Sequence, residues 1–156
     1  MNPTLKMWQR LSRYPGGKRL FSRAICVKAP YFGSIKPLMT VLETGKAVAE
    51  IKDRRAVHNH IGSVHAIALC NLAEFCAGVV SEASMPPGMR WIPAGMTVRY
   101  LARAEGKMVA EATMREIIVG EKGAVPVMVE VKDQAGLVVF DACIEMHISP
   151  KPAPKK

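Results

Sequence analysis

The clearest periodicity lies near the end of the chain. Val138, Phe140, Ala142, Ile144, Met146 and Ile148 alternate with Val139, Asp141, Cys143, Glu145 and His147. A period of two marks a strand with one face on a core. This predicts a strand over 137–149, preceded by strands over 94–104, 107–119 and 124–133. Glu105-Gly106, Glu121-Lys122-Gly123 and Gln134-Ala135-Gly136 supply the breaks between them. Pro126 lacks an amide donor, so it marks a start, a bulge or an edge in its strand. Upstream, Ala47, Ala49 and Ile51 alternate with Val48, Glu50 and Lys52, which predicts a hairpin over 40–54 turning at Thr44-Gly45.

The pattern between them has a different period. Ala68, Leu72, Phe75 and Val79 form an apolar stripe at helical spacing, flanked by Ile67, Asn71, Glu74 and Gly78. Leu69, Cys76 and Val80 cover further arc, so this helix is expected to be buried on most sides. Ser63 is the expected N-cap, with an end near Ser81 or Glu82 and Pro86-Pro87-Gly88 forbidding continuation. Shorter helices are expected over 3–13, with Leu5, Trp8 and Leu11 aligned, and over 18–26. One long helix followed by four long strands is an α+β pattern, with a curved sheet covering the helix.

At 156 residues and 49% hydrophobic content, the chain suits one domain with a substantial core. It contains no run of eighteen apolar residues and no secretory signal pattern, so a transmembrane segment is not expected and a cytoplasmic location is. Cys26, Cys70, Cys76 and Cys143 form no CxxC pair and read as free thiols. The charge of +9 is uneven: residues 1–36 carry eight basic residues and no acid, whereas residues 37–150 carry 11 basic and 13 acidic residues. The expected organisation is a basic helical extension over 1–36, a body over 37–149 and a flexible basic tail over 150–156. Without an aromatic-basic strand motif, zinc finger or basic recognition helix, no specific nucleic-acid partner is expected.

Candidate chemistry concentrates where His58-Asn59-His60-Ile61-Gly62-Ser63-Val64-His65 runs into the apolar helix that carries Glu74. A carboxylate among apolar residues is costly unless it has a partner or a chemical use. The nearby helix N-terminus offers unpaired backbone donors to a developing oxyanion. Together these suggest acyl transfer or hydrolysis. Glu74 could act as a general base or as a nucleophile, or rest in structural hydrogen bonds. Asn59 could orient a carbonyl or water, or simply close a turn. His58, His60 and His65 lack a carboxylate at a recognised metal spacing, so no metal is expected. Ser63 lacks a nucleophile elbow.

The segment Asn59-x-x-Gly62-x-x-His65-Ala66-x-x-Leu69-x-x-Leu72-Ala73-Glu74, followed by Thr97-Val98-Arg99-Tyr100-Leu101, resembles the hotdog-fold acyl-CoA thioesterases. The likeness is to the phenylacetate-pathway and 4-hydroxybenzoyl-CoA branch, including relatives described only as domains of unknown function, and covers about residues 37–149. It implies an α+β hotdog fold, an acyl-CoA or related thioester substrate, no cofactor, and a homodimer or homotetramer with its site between subunits. It places an amide at Asn59, an oxyanion-binding N–H at Ala66 and the catalytic carboxylate at Glu74. His65, Ile67, Asn71 and Gly78 become candidate substrate-binding positions. The family usually has glycines after the histidine; here Ala66-Ile67 keeps the N–H but narrows the space. Gly78 stands where some relatives supply a hydroxyl. These departures keep a non-catalytic acyl-thioester-binding or interaction protein as the alternative, while Glu74 argues against a hotdog dehydratase. The phosphates of coenzyme A would suit Arg19, Arg23 and Lys28 if the basic extension folds over the ligand exit.

Overall fold

A computed structural model describes residues 2–152. The chain opens with α1 (Pro3–Leu11), α2 (Gly17–Lys28) and a 3-10 turn (Pro30–Ser34), then a hairpin of β1 (Leu38–Glu43) and β2 (Lys46–Ile51). The long helix α3 (Ala66–Ser84) follows, and then β3 (Met89–Tyr100), β4 (Met108–Met114), β5 (Gly123–Lys132) and β6 (Val138–Pro150). The strands form one sheet in the order β1-β2-β4-β5-β6-β3, with every pairing antiparallel. This is the expected α+β hotdog arrangement, a curved sheet around a central helix.

The physical reason is the composition of α3. Fourteen of its nineteen residues are buried, too many for one flat surface to cover. The helix is long and apolar enough to cross a membrane, yet it is packed against all six strands. Leu72 and Phe75 are fully buried, and Ala68 and Val79 nearly so. From the sheet, alternate residues Val127, Val129 and Val131 of β5 and Ala142, Ile144 and Met146 of β6 meet them in the same core. Cys76 is enclosed there, with its sulfur 3.6 Å from the Ala110 carbonyl. Burial pushes its thiol up to about 12.

The N-terminal helices share this core. Leu5, Trp8 and Phe21 belong to the same buried cluster, and Trp8 meets Phe21 edge-on at 5.1 Å between ring centroids. The Ser22 hydroxyl accepts from the Met39 amide at 2.8 Å, and Lys18 donates to the Thr40 carbonyl at 2.8 Å, docking α2 on β1. Between α1 and α2 the chain turns so tightly that a Cβ on Gly17 would lie 1.7 Å from the Leu11 carbonyl oxygen.

Several boundaries differ from the sequence expectation. β3 begins at Met89 and ends at Tyr100, shifted toward the N-terminus from 94–104, because Pro93 is absorbed in a bulge before Gly95. β4 stops at Met114, well short of 119. Pro126 is tolerated in an interior strand because the ladder to β4 begins only at Val127, so its missing N–H falls beyond the end of that neighbour. Ser63 is not the cap of α3, which begins at Ala66 after His65. Of the expected tail, Pro150 closes β6 and residues 153–156 lie outside the described residues. β3 pairs with β6 on one side only, and Ile92, Met96 and Tyr100 along it are exposed.

Two substitutions test this packing. Phe75→Ala should lower the unfolding free energy by about 3–5 kcal/mol in a denaturant titration, because a rigid core leaves a cavity. Gly17→Ala adds one methyl to the backbone contact with Leu11 and should cost roughly 1–3 kcal/mol. A variant as stable as the parent at either position would refute the corresponding packing.

Candidate active site

The turn before α3 is held by its own polar side chains. The Asn59 side-chain oxygen accepts from the amides of Ile61 and Ser63, each at 3.1 Å, while its nitrogen donates to the Ser63 hydroxyl at 2.8 Å. Gly62, at φ 79°, supplies the left-handed residue that closes the turn. Both ends of the segment are tied down: the His65 amide donates to the Val57 carbonyl and the Val64 amide to the Ala104 carbonyl, both at 2.8 Å. Ser63 is therefore a buried partner of Asn59.

His65 takes the capping role that Ser63 was expected to play. Its Nδ1 accepts from the Ile67 amide at 3.0 Å. An accepting Nδ1 carries no proton, so the neutral ring holds its hydrogen on Nε2. Further along, the Ala68 and Leu69 amides donate to the His65 carbonyl. Among the described residues, the Ala66 amide has no hydrogen-bond partner. It lies half-exposed at the positive end of a nineteen-residue helix, a place that favours negative charge.

Glu74 lies two turns further on, half-buried, with neither a hydrogen bond nor an ion pair among the described residues. Nearby on α3, the Cys70 sulfur is 3.5 Å from the Tyr100 hydroxyl on β3. That hydrogen bond, with some desolvation, holds the phenol above its ordinary pKa. Eight residues at ~1.5 Å rise separate Ala66 from Glu74 by about 12 Å along the helix axis. Within one chain, the donor and the carboxylate thus stand about two helical turns apart.

Beside the start of α3 is a cavity of about 180 Å³, lined by Tyr31, Ser34, His58, His65, Ile67 and Asn71 among others. The structure thus brings the candidates His65, Ile67 and Asn71 together. Ile67 is 54% exposed at its edge, whereas Asn71 is 6% exposed. Asn71 donates to the Ser34 hydroxyl at 3.2 Å, and its side-chain oxygen is buried without a partner. Such an acceptor is costly to leave unmet, and among the described residues nothing satisfies it. Gly78 is not part of this group. It lies under Trp91, whose indole donates to Glu82 at 2.8 Å, and a Cβ at 78 would stand 3.2 Å from the ring.

Asp53 was not singled out by the sequence, because no motif marks it. Its carboxylate pairs with His58 Nε2 and accepts from the Gly106 amide at 3.1 Å. The His58 hydrogen bond holds the Asp53 carboxyl below its usual range. Among the described residues, no three His, Cys, Asp or Glu side chains cluster as a metal site.

A helix start with a free amide, a carboxylate further along the same helix and a wrapping antiparallel sheet define a hotdog-fold protein. Residues 17–148 match the model of the DUF4442 family, a domain of unknown function, and the chain belongs to that family. A structural-genomics crystal structure is 41% identical, with 95% of this chain and 98% of that chain covered and a TM-score of 0.81. A thioesterase from Haemophilus influenzae is 12% identical over 85% of this chain and 91% of its own, with a TM-score of 0.73. A phenylacetic acid degradation-related protein from Ralstonia eutropha is 15% identical over 76% and 89%, with a TM-score of 0.65. No curated protein matches the chain.

Two outcomes follow from this geometry. His65→Ala should cost about 1 kcal/mol through the lost cap, with His65→Asn recovering most of it, as read from thermal unfolding. For Asp53, the folded pKa is depressed, so its stabilisation is present above the unfolded aspartate value and lost as pH falls through the folded one. His58→Ala should therefore lower stability at neutral pH and flatten the acid limb of the stability profile. An unchanged acid limb would show that the pair contributes nothing.

Proposed function

We propose that this chain is a cytoplasmic, homodimeric thioesterase that hydrolyses acyl-CoA or a related acyl thioester to a free acid and a thiol, without a cofactor. The observation that carries the reading is the unpartnered Ala66 amide on the same helix as the unpaired, half-buried Glu74. The amide would hold the thioester oxygen, and Glu74 of a second copy would act at the carbonyl carbon, since the two groups of one chain lie about 12 Å apart along the helix axis. The unpaired edge of β3 and its exposed Ile92, Met96 and Tyr100 offer a surface for that second copy.

In the proposed reaction Glu74 takes a proton from water as the water oxygen attacks the carbonyl carbon. Negative charge on the carbonyl oxygen is met by the Ala66 N–H. Collapse of the tetrahedral intermediate breaks the carbon–sulfur bond, and the proton on Glu74 passes to the departing sulfur. Asn59, which donates once and accepts twice within the turn, acts by positioning Ala66. His65 does the same through its cap, while Ile67 and Asn71 face the bound acyl group or its pantetheine arm. Gly78, beneath Trp91, contributes close packing.

The test is a thiol-release screen across short, medium, long and aromatic acyl-CoAs. Glu74→Gln should lower kcat by about 10²–10⁴-fold, the usual worth of a general base, with an unchanged circular dichroism spectrum. Sedimentation should show at least a dimer. Saturable acyl-CoA binding without turnover of any substrate would favour a binding protein instead, and a fully active monomer would rule out the shared site.

A further inference from the structure

The strongest unused feature is a cleft of about 510 Å³ between α2 and the β1–β2 hairpin. Arg19 and Arg23 reach it from one face of α2, four residues apart, and Lys36 and Lys52 close it from the chain before β1 and the end of β2. All four are exposed, and none makes an ion pair among the described residues. The one carboxylate on its wall, Glu50, is bound to Lys107 at 3.1 Å. Lys28, grouped with these arginines on the sequence alone, is in the last turn of α2 and does not line the cleft.

Four uncompensated cations facing one concave space repel each other, and a multiply charged anion relieves that cost. The 3-10 turn Pro30–Ser34 divides this cleft from the cavity at the start of α3. Gly33 lines the first, while Tyr31 and Ser34 line the second. Arg54 and Asn71 both bond to Ser34, fixing the partition. A ligand crossing that turn would have its uncharged arm toward Asn71 and its anionic end among the four cations.

We propose that the cleft binds the phosphate end of a coenzyme A-type thiol, its diphosphate and its ribose 3′-phosphate. A phosphomonoester brings about −1.5 to −2 charges near neutral pH. With the two charges of the diphosphate, the total nearly balances the four side chains. A fatty carboxylate or a bare pantetheine would leave most of them unmatched. This deepens the thioesterase reading and rests on it for the identity of the thiol, but the binding itself requires no turnover.

The experiment uses the full chain, the double variants Arg19→Gln/Arg23→Gln and Lys36→Gln/Lys52→Gln, and Lys28→Gln as a control outside the cleft. Adenosine 3′,5′-bisphosphate binding is measured by calorimetry, and hydrolysis is followed with acyl-CoA, acyl-dephospho-CoA and acyl-pantetheine. Each double variant should weaken bisphosphate binding by about tenfold or more, with Lys28→Gln unchanged. The KM for acyl-CoA should rise similarly at constant kcat, less so for the dephospho substrate and not at all for acyl-pantetheine. High salt should erase the difference between parent and variants. Equal bisphosphate affinity in all proteins, or equal KM changes for acyl-CoA and acyl-pantetheine, would overturn the proposal. Bisphosphate binding that depends on the cleft, without hydrolysis of any thioester, would instead remove the thioesterase reading and leave the phosphate site standing.

Discussion

The burial of α3 is the constraint on which the rest of the structure depends. A helix with Leu72 and Phe75 on one side and Cys76 and Val80 on another cannot be satisfied by a single facing layer. Six antiparallel strands curve around it, and α1 and α2 add Leu5, Trp8 and Phe21 to the same core. What stays uncovered is then meaningful. Besides Glu82 and Ser84 near its end, only Ala66, Ile67 and Glu74 of this helix retain access to solvent.

That incomplete face carries chemistry because the helix start is prepared by its neighbours. Asn59 and Ser63 close the turn, the Val57 and Ala104 carbonyls anchor it, and His65 satisfies the second amide of the helix. The cap leaves the first amide, at Ala66, directed outward. A side chain that consumed this donor would stabilise the helix but remove its capacity to hold an oxyanion. Local stability and reactivity are thus divided between two adjacent amides.

Electrostatics follows the same division. The body from 37 to 150 is nearly balanced, and about half of its acids are tied to nearby cations, as in Arg99–Asp141 and Lys46–Glu111. In α2, Arg19 and Arg23 face the cleft without such partners, and residues 1–36 contain no acid to meet them. Part of the excess charge of the chain, Arg19, Arg23 and Lys36, thus lies next to the candidate site, across one short 3-10 turn.

The sequence by itself determined the class of each main element and the inner face of the sheet, since a period of two or 3.6 records which side chains leave water. It also marked Glu74 as a carboxylate on an apolar helix, while Asn59 and Ala66 were marked through the resemblance to the hotdog thioesterases. Their contacts were decided only by tertiary structure. His65 rather than Ser63 caps α3 because the turn pulls Ser63 inward against Asn59. Pro126 fits an interior strand because β4 ends before reaching it. Gly106 reaches the Asp53 carboxylate from a distant loop, and Lys36 and Lys52 join Arg19 and Arg23 only when α2 docks on the hairpin. Periodicity encodes burial along one element. Partners brought together from separate elements have no period, so only the folded chain reveals them.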